Sequence, residues 1–159
     1  MITSALPWVL GAAVMVAGSG RQPFFPAELK PLLAALQRAG YVVTLEAPSA
    51  RGAYGLTDTR QRRIWIAPLS IDMGIVRATL IHEAVHAAQS CPDGRPKTIG
   101  WVWQQQPMVE KEINGLLYRG YPRDRFAIER EAFRMQSHPR AIELVTAALD
   151  QRCRSKPKR

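Results

Sequence analysis

Between Thr79 and Ala88 the chain reads Thr-Leu-Ile-His-Glu-Ala-Val-His-Ala-Ala, and this stretch constrains the fold more than any other. Apart from His82, Glu83 and His86, every position from Leu80 to Ala88 is small or aliphatic, with no proline and no further charge. A helix that is apolar on almost every side belongs inside a protein. Burying two imidazoles and a carboxylate is costly unless something compensates them, and a divalent cation does so. The spacing supplies the means. His82 and His86, at i and i+4, stand one above the other and can reach one ion. Glu83 lies about 100° round the helix, where it reaches a water beside that ion without ligating it. Two neutral nitrogens on zinc with a carboxylate as base is the chemistry of metal-assisted hydrolysis.

The motif His82-Glu83-Ala84-Val85-His86, preceded by Leu80 and followed by Ala87 and Ala88, resembles the active-site helix of the zincin metallopeptidases. It is most similar to small members of the gluzincin branch, whose third ligand is a glutamate on a later helix. The metzincin branch would place Gly at 89 and His at 92, where this chain has Gln89 and Pro92. No Gly-Thr-x-x-Asp segment follows the motif, which argues against the branch with an aspartate ligand. The resemblance implies a zinc-dependent peptidase holding one Zn²⁺ and acting on peptide or protein substrates, with Glu83 as general base. It also implies an α+β, zincin-like fold: a small, mostly antiparallel sheet or hairpin before a buried active-site helix, then C-terminal helices.

A catalytic zinc needs a third protein ligand and an open position. Glu110, Glu112, Glu129 and Glu131 follow the motif. The run Glu129-Arg130-Glu131-Ala132-Phe133 is similar to the gluzincin pattern Glu-x-x-Ala-Asp, which would make Glu129 the ligand. Phe133 departs from the pattern, because an aspartate there often orients a ligand histidine. Helical phase is an independent guide. Glu129 falls on an apolar arc with Phe126, Ile128, Ala132 and Phe133, opposite Arg123, Arg130 and Arg134. Glu131 lies nearer the edge of that arc and is the alternative ligand, or else a solvated partner of Arg130 or Arg134. Tyr118, Tyr121 and His138 are the candidates for stabilising an oxyanion, and Tyr121 is the one we single out.

With 159 residues the chain fits one domain with short appendages. Residues 1–20 form an apolar segment, a signal or anchor candidate, although no Lys or Arg precedes it and Pro7 interrupts it. A core-packing helix fits it equally, so export, membrane association and a cytoplasmic location stay open. Residues 21–152 would be the metallopeptidase domain and 153–159 a basic tail. The net charge of +9 is concentrated partly in Arg152, Arg154, Lys156, Lys158 and Arg159. A solvated tail explains this, and nucleic acid is the sharper but less favoured partner. No Cys-x-x-Cys pair exists, which argues against a cysteine metal site. Cys91 and Cys153 would pair in an exported chain and stay free in the cytosol. Two further readings remain: a catalytically silent zincin-like domain that binds metal or a partner, and a DNA-associated protease using the basic surface. The intact Glu83 argues against the first.

Along the chain, residues 18–26 read as a linker, and Leu29, Leu32, Leu33 and Leu36 predict a helix ending at Gly40. Residues 41–45 predict a strand, and 52–57 with 64–67 a β-hairpin. By the resemblance, 63–67 is the candidate edge strand for aligning a peptide; an ordinary internal strand, with Trp65 in the core or at the surface, fits it equally. The motif helix is expected over 72–90, and 101–106 as a strand or loop. Three helices are expected over 108–118, 123–137 and 139–151.

Overall fold

The computed structural model describes residues 24–153. The apolar segment 1–20, most of the linker at 18–26 and the tail beyond Cys153 lie outside the described residues. The fold is α+β, with six helices and one three-stranded sheet among the described residues.

A 3₁₀ turn (Ala27–Leu29) leads into α1 (Lys30–Arg38), whose Pro31 sits in the first turn, where a missing N–H costs nothing. Leu29, Leu32 and Leu36 are fully buried, and Gly40, at φ +83°, ends the helix as expected. β1 (Val42–Thr44), β2 (Gly55–Asp58) and β3 (Arg63–Ile66) follow. Asp58 closes the hairpin turn by accepting hydrogen bonds from the Arg60 and Gln61 amides at 2.8 and 2.9 Å.

The strand order is β1-β3-β2, with β3 antiparallel to β2 but parallel to β1. The sheet is therefore mixed, not mostly antiparallel. It also decides between the two readings of 63–67 against the edge: β3 is the central, internal strand, and its backbone groups are taken up by neighbours on both sides. Hydrophobic alternation explains the placement, because Ile64 and Ile66 go fully into the core while Arg63 stacks over Trp65. The outer strand beside the motif helix is β2. Ala67 donates to the Tyr54 carbonyl at 2.8 Å, so the pairs 54–67, 56–65 and 58–63 are the hydrogen-bonded ones. Gly55 and Thr57 then turn their backbone N–H and C=O groups to the edge that no strand among the described residues covers.

After a single turn, α2 (Leu69–Asp72), Gly74 at φ +69° breaks the chain. The motif helix α3 (Val76–Ser90) thus starts later than the expected residue 72. It is the central element of the molecule. Its apolar positions Leu80, Ile81, Ala84, Val85, Ala87 and Ala88 are fully buried. Its far end is tied twice to α6 (Ala141–Arg152): Arg152 donates to the Ala88 carbonyl at 2.9 Å, and Cys91 and Cys153 form a disulfide. Closing a loop of 62 residues removes unfolded-chain entropy, which in that account stabilises the fold by about 4 kcal/mol.

Residues 91–106 contain turns but no strand or helix, and α4 (Pro107–Gly120) follows. Another 3₁₀ turn (Arg123–Arg125) then opens α5 (Phe126–Gln136), which packs across α3. No helix among the described residues is long and apolar enough to cross a membrane.

Candidate metal centre

Two helices build the centre. α3 presents His82 and His86 one turn apart, and α5 brings Glu129 against them from the other side. His82 Nε2 lies 3.1 Å from His86 Nε2, and Glu129 Oε2 lies 3.4 and 3.2 Å from these two nitrogens. Two ligands at about 2.05 Å from one ion, at the tetrahedral angle, stand about 3.3 Å apart. The observed triangle thus has the edge lengths that one tetrahedral zinc requires. Glu129 is 5% exposed and His82 8%, so water does little to compensate them. Glu129 Oε2 is also a buried oxygen without a hydrogen-bond donor, and a cation held among these three side chains would satisfy it. Among the described residues these three side chains are the group able to hold a metal ion.

The electrostatics agree. Burial alone would push the Glu129 carboxyl upward, but the two imidazoles beside it bring it down to about 2. Burial pulls His86 downward, and the Glu129 carboxylate beside it more than offsets this, so its pKa is raised. Each Nδ1 atom faces a glutamine oxygen: Gln136 Oε1 lies 3.3 Å from His82, and Gln89 Oε1 lies 2.9 Å from His86. Each glutamine oxygen is placed to accept a hydrogen from the ring it faces. Phe133 instead packs edge-on against His82, with ring centroids 4.6 Å apart.

Glu83 is 7% exposed and turns toward β2, where Thr57 Oγ1 donates to its Oε2 at 2.7 Å. A Cβ at Gly55 would come within 2.6 Å of Glu83 Oε1 and 2.9 Å of Thr79 Cγ2, so only glycine lets the strand approach the helix this closely. Gly55 and Thr57 were not legible as site residues; the one sequence signal was a glycine inside a strand pattern. A cleft of about 380 Å³ opens over the centre, lined by Gly55, Thr57, His82, Glu83, His86 and Glu129, with Tyr121 and Arg125 at its side.

The other candidates go elsewhere. Glu131 is neither a ligand nor solvated. It is 8% exposed and accepts hydrogen bonds from the Ile99, Gly100 and Trp101 amides and from Gln89 Nε2, at 2.7–3.1 Å. Two residues along a helix from Glu129, it necessarily points to a different neighbour. Glu110 pairs with Arg134 at 2.6 Å and Arg130 at 3.7 Å, joining α4 to α5. Glu112 is exposed. Tyr118 is exposed and packs on Phe126, while His138 meets Trp103 edge-on and accepts from the Arg140 amide, so neither lines the cleft. Tyr121 does. Burial, then the nearby Glu129 and Glu83 carboxylates, pushes its phenol up to about 12, which keeps it an O–H donor.

Fold and site together define an α+β protein with a buried two-histidine, one-glutamate centre shared by two helices. Residues 68–153, more than half of the chain, match the family described as a domain of unknown function, DUF8637, and the chain belongs to that family. The matched segment contains His82, Glu83, His86 and Glu129 and both cysteines, but not the sheet. No curated protein and no solved structure matches the chain.

Proposed function

We propose that the chain is a zinc-dependent metallopeptidase with a zincin-like fold and a gluzincin-like ligand set. The observation that carries this reading is the triangle of His82 Nε2, His86 Nε2 and Glu129 Oε2, with edges of 3.1–3.4 Å, beneath an open cleft that also contains Glu83. These three residues would hold the ion, which supplies a Lewis acid for the scissile carbonyl and makes water more acidic. Glu83 takes the proton from the attacking water and delivers it to the departing amine. Tyr121 offers its O–H to the carbonyl oxygen as that oxygen gains charge. The substrate backbone pairs with the open edge of β2 through Gly55 and Thr57.

One observation favours a silent metal-binding domain instead: the Thr57 hydroxyl occupies one of the two Glu83 oxygens. Zinc content and casein cleavage of the wild type, Glu83→Gln and Glu129→Ala separate the two. The peptidase reading expects zinc and cleavage in the wild type. Glu83→Gln should keep its zinc and lose about 10²–10⁴-fold in turnover. Glu129→Ala should lose the zinc. Equal cleavage by wild type and Glu83→Gln would remove the base, and zinc without cleavage in the wild type would favour the silent domain.

A further inference from the structure

We infer that Glu131 is a positioning residue for the metal centre: acting through Gln89, it fixes which nitrogen of His86 is left free to bind the ion. The inference rests on the reading of His82, His86 and Glu129 as a metal site, and not on the peptidase activity.

A glutamine amide can face either way, and which way it faces decides what its neighbour must be. Gln89 is fully buried. Its Nε2 donates to two acceptors that cannot themselves donate, the Ile128 carbonyl at 3.0 Å and the Glu131 carboxylate at 2.9 Å. Reversing the amide would set Oε1 against both of these oxygens, including the charged one. Gln89 Oε1 therefore faces His86 Nδ1 at 2.9 Å, and an oxygen there requires Nδ1 to carry the hydrogen. The neutral ring then has its lone pair on Nε2, the atom in the triangle with His82 and Glu129.

Glu131 is itself held. Its Oε1 takes the Gly100 and Trp101 amides at 2.7 and 3.1 Å, and its Oε2 takes Ile99 at 2.8 Å beside Gln89. Four donors on one buried carboxylate leave it no freedom to rotate away. The segment after α3, which has no regular structure of its own, thus supplies the donors that ultimately set the form of His86.

The test uses Glu131→Gln, Gln89→Leu and the double variant, each checked for an unchanged far-UV CD spectrum. Two readouts are taken. Long-range ¹H–¹⁵N spectra of the metal-free proteins, at a pH where imidazole is neutral, report the tautomer of His86. Zn²⁺ titration against a competing chelator reports affinity. We expect His86 in the Nδ1–H form in the wild type, with a shift toward Nε2–H in Glu131→Gln. Affinity should fall about 10- to 100-fold in Glu131→Gln and in Gln89→Leu. It should fall no further in the double variant, because the first residue acts only through the second. An unchanged tautomer in Glu131→Gln, or losses that add in the double variant, would overturn the inference. Zinc binding without peptide cleavage would sink the metallopeptidase reading and leave this inference standing, whereas a wild type that bound no zinc would overturn both.

Discussion

Helices α3 and α5 both carry buried acidic groups into the same interface, yet they do so in opposite ways. α3 is apolar almost all round, so its His82, Glu83 and His86 have no polar surface to share and must face a cleft or a cation. α5 is amphipathic. Its arginines take one side, where Arg134 and Arg130 meet Glu110, and its two buried glutamates take the other. Within α5, Glu129 and Glu131 are similarly buried, at 5% and 8% exposure, but they are compensated differently. Glu131 has four N–H donors. Glu129 has two imidazole nitrogens and an oxygen without a donor. A carboxylate satisfied by hydrogen bonds is architecture, whereas one that is buried and still short of positive charge marks a binding site.

The sharpest way to break that contrast is to remove each carboxylate in turn. Glu129→Ala should lower zinc affinity by more than about a hundredfold, beyond what orienting residues typically contribute, as read by metal analysis after chelator competition. Glu131→Ala should lower zinc affinity less, within the roughly 10- to 100-fold expected of a positioning residue, and should cost the fold more. Stranding several buried N–H donors costs about 3 kcal/mol or more, a fall in the melting midpoint of roughly 6–12 °C. Equal metal loss with equal unfolding in the two variants would erase the distinction between them.

The pH dependence of the metal-free protein should sharpen it. The folded Glu129 carboxyl is depressed from 4.5 to about 2, so its contribution is present above the unfolded value and is lost as pH falls from 4.5 toward 2. His86 is raised above 6.5, so its contribution is present below 6.5 and is lost as pH rises through the raised value. Stability should therefore be greatest between the two windows, and Glu129→Gln should flatten the profile on both sides. A thermal melt series from pH 2 to pH 9 checks this; unchanged slopes in the variant would mean that the triad is not coupled.

A smaller effect is expected where β2 meets α3. Gly55→Ala forces Glu83 or the strand to give way and should cost about 1–3 kcal/mol, with zinc retained and any peptidase activity reduced. Unaltered stability and activity would show that the close approach at Gly55 is dispensable.

Much of this was legible from residue types alone. The leucines of α1, the hairpin and the long apolar helix followed from period and turn chemistry. The pair His82 and His86 followed from one turn of helix, and Glu129 from its phase among Phe126, Ile128 and Ala132. The sheet was less legible. Strand order depends on which faces and edges the helices cover, and nothing local distinguishes β3 as central from β3 as an edge. Gln89 was likewise within sight at i+3 from His86, but a glutamine on a helix says nothing of what its amide meets.

The sequence by itself determined that a helix this apolar must be buried and that its two imidazoles share one face, because both follow from backbone geometry and the cost of desolvation. Only the tertiary structure decided which acidic residue approaches that face, which strand stays open, and how Glu131 is satisfied. Those outcomes depend on contacts between residues 26 to 64 positions apart, which no local pattern encodes.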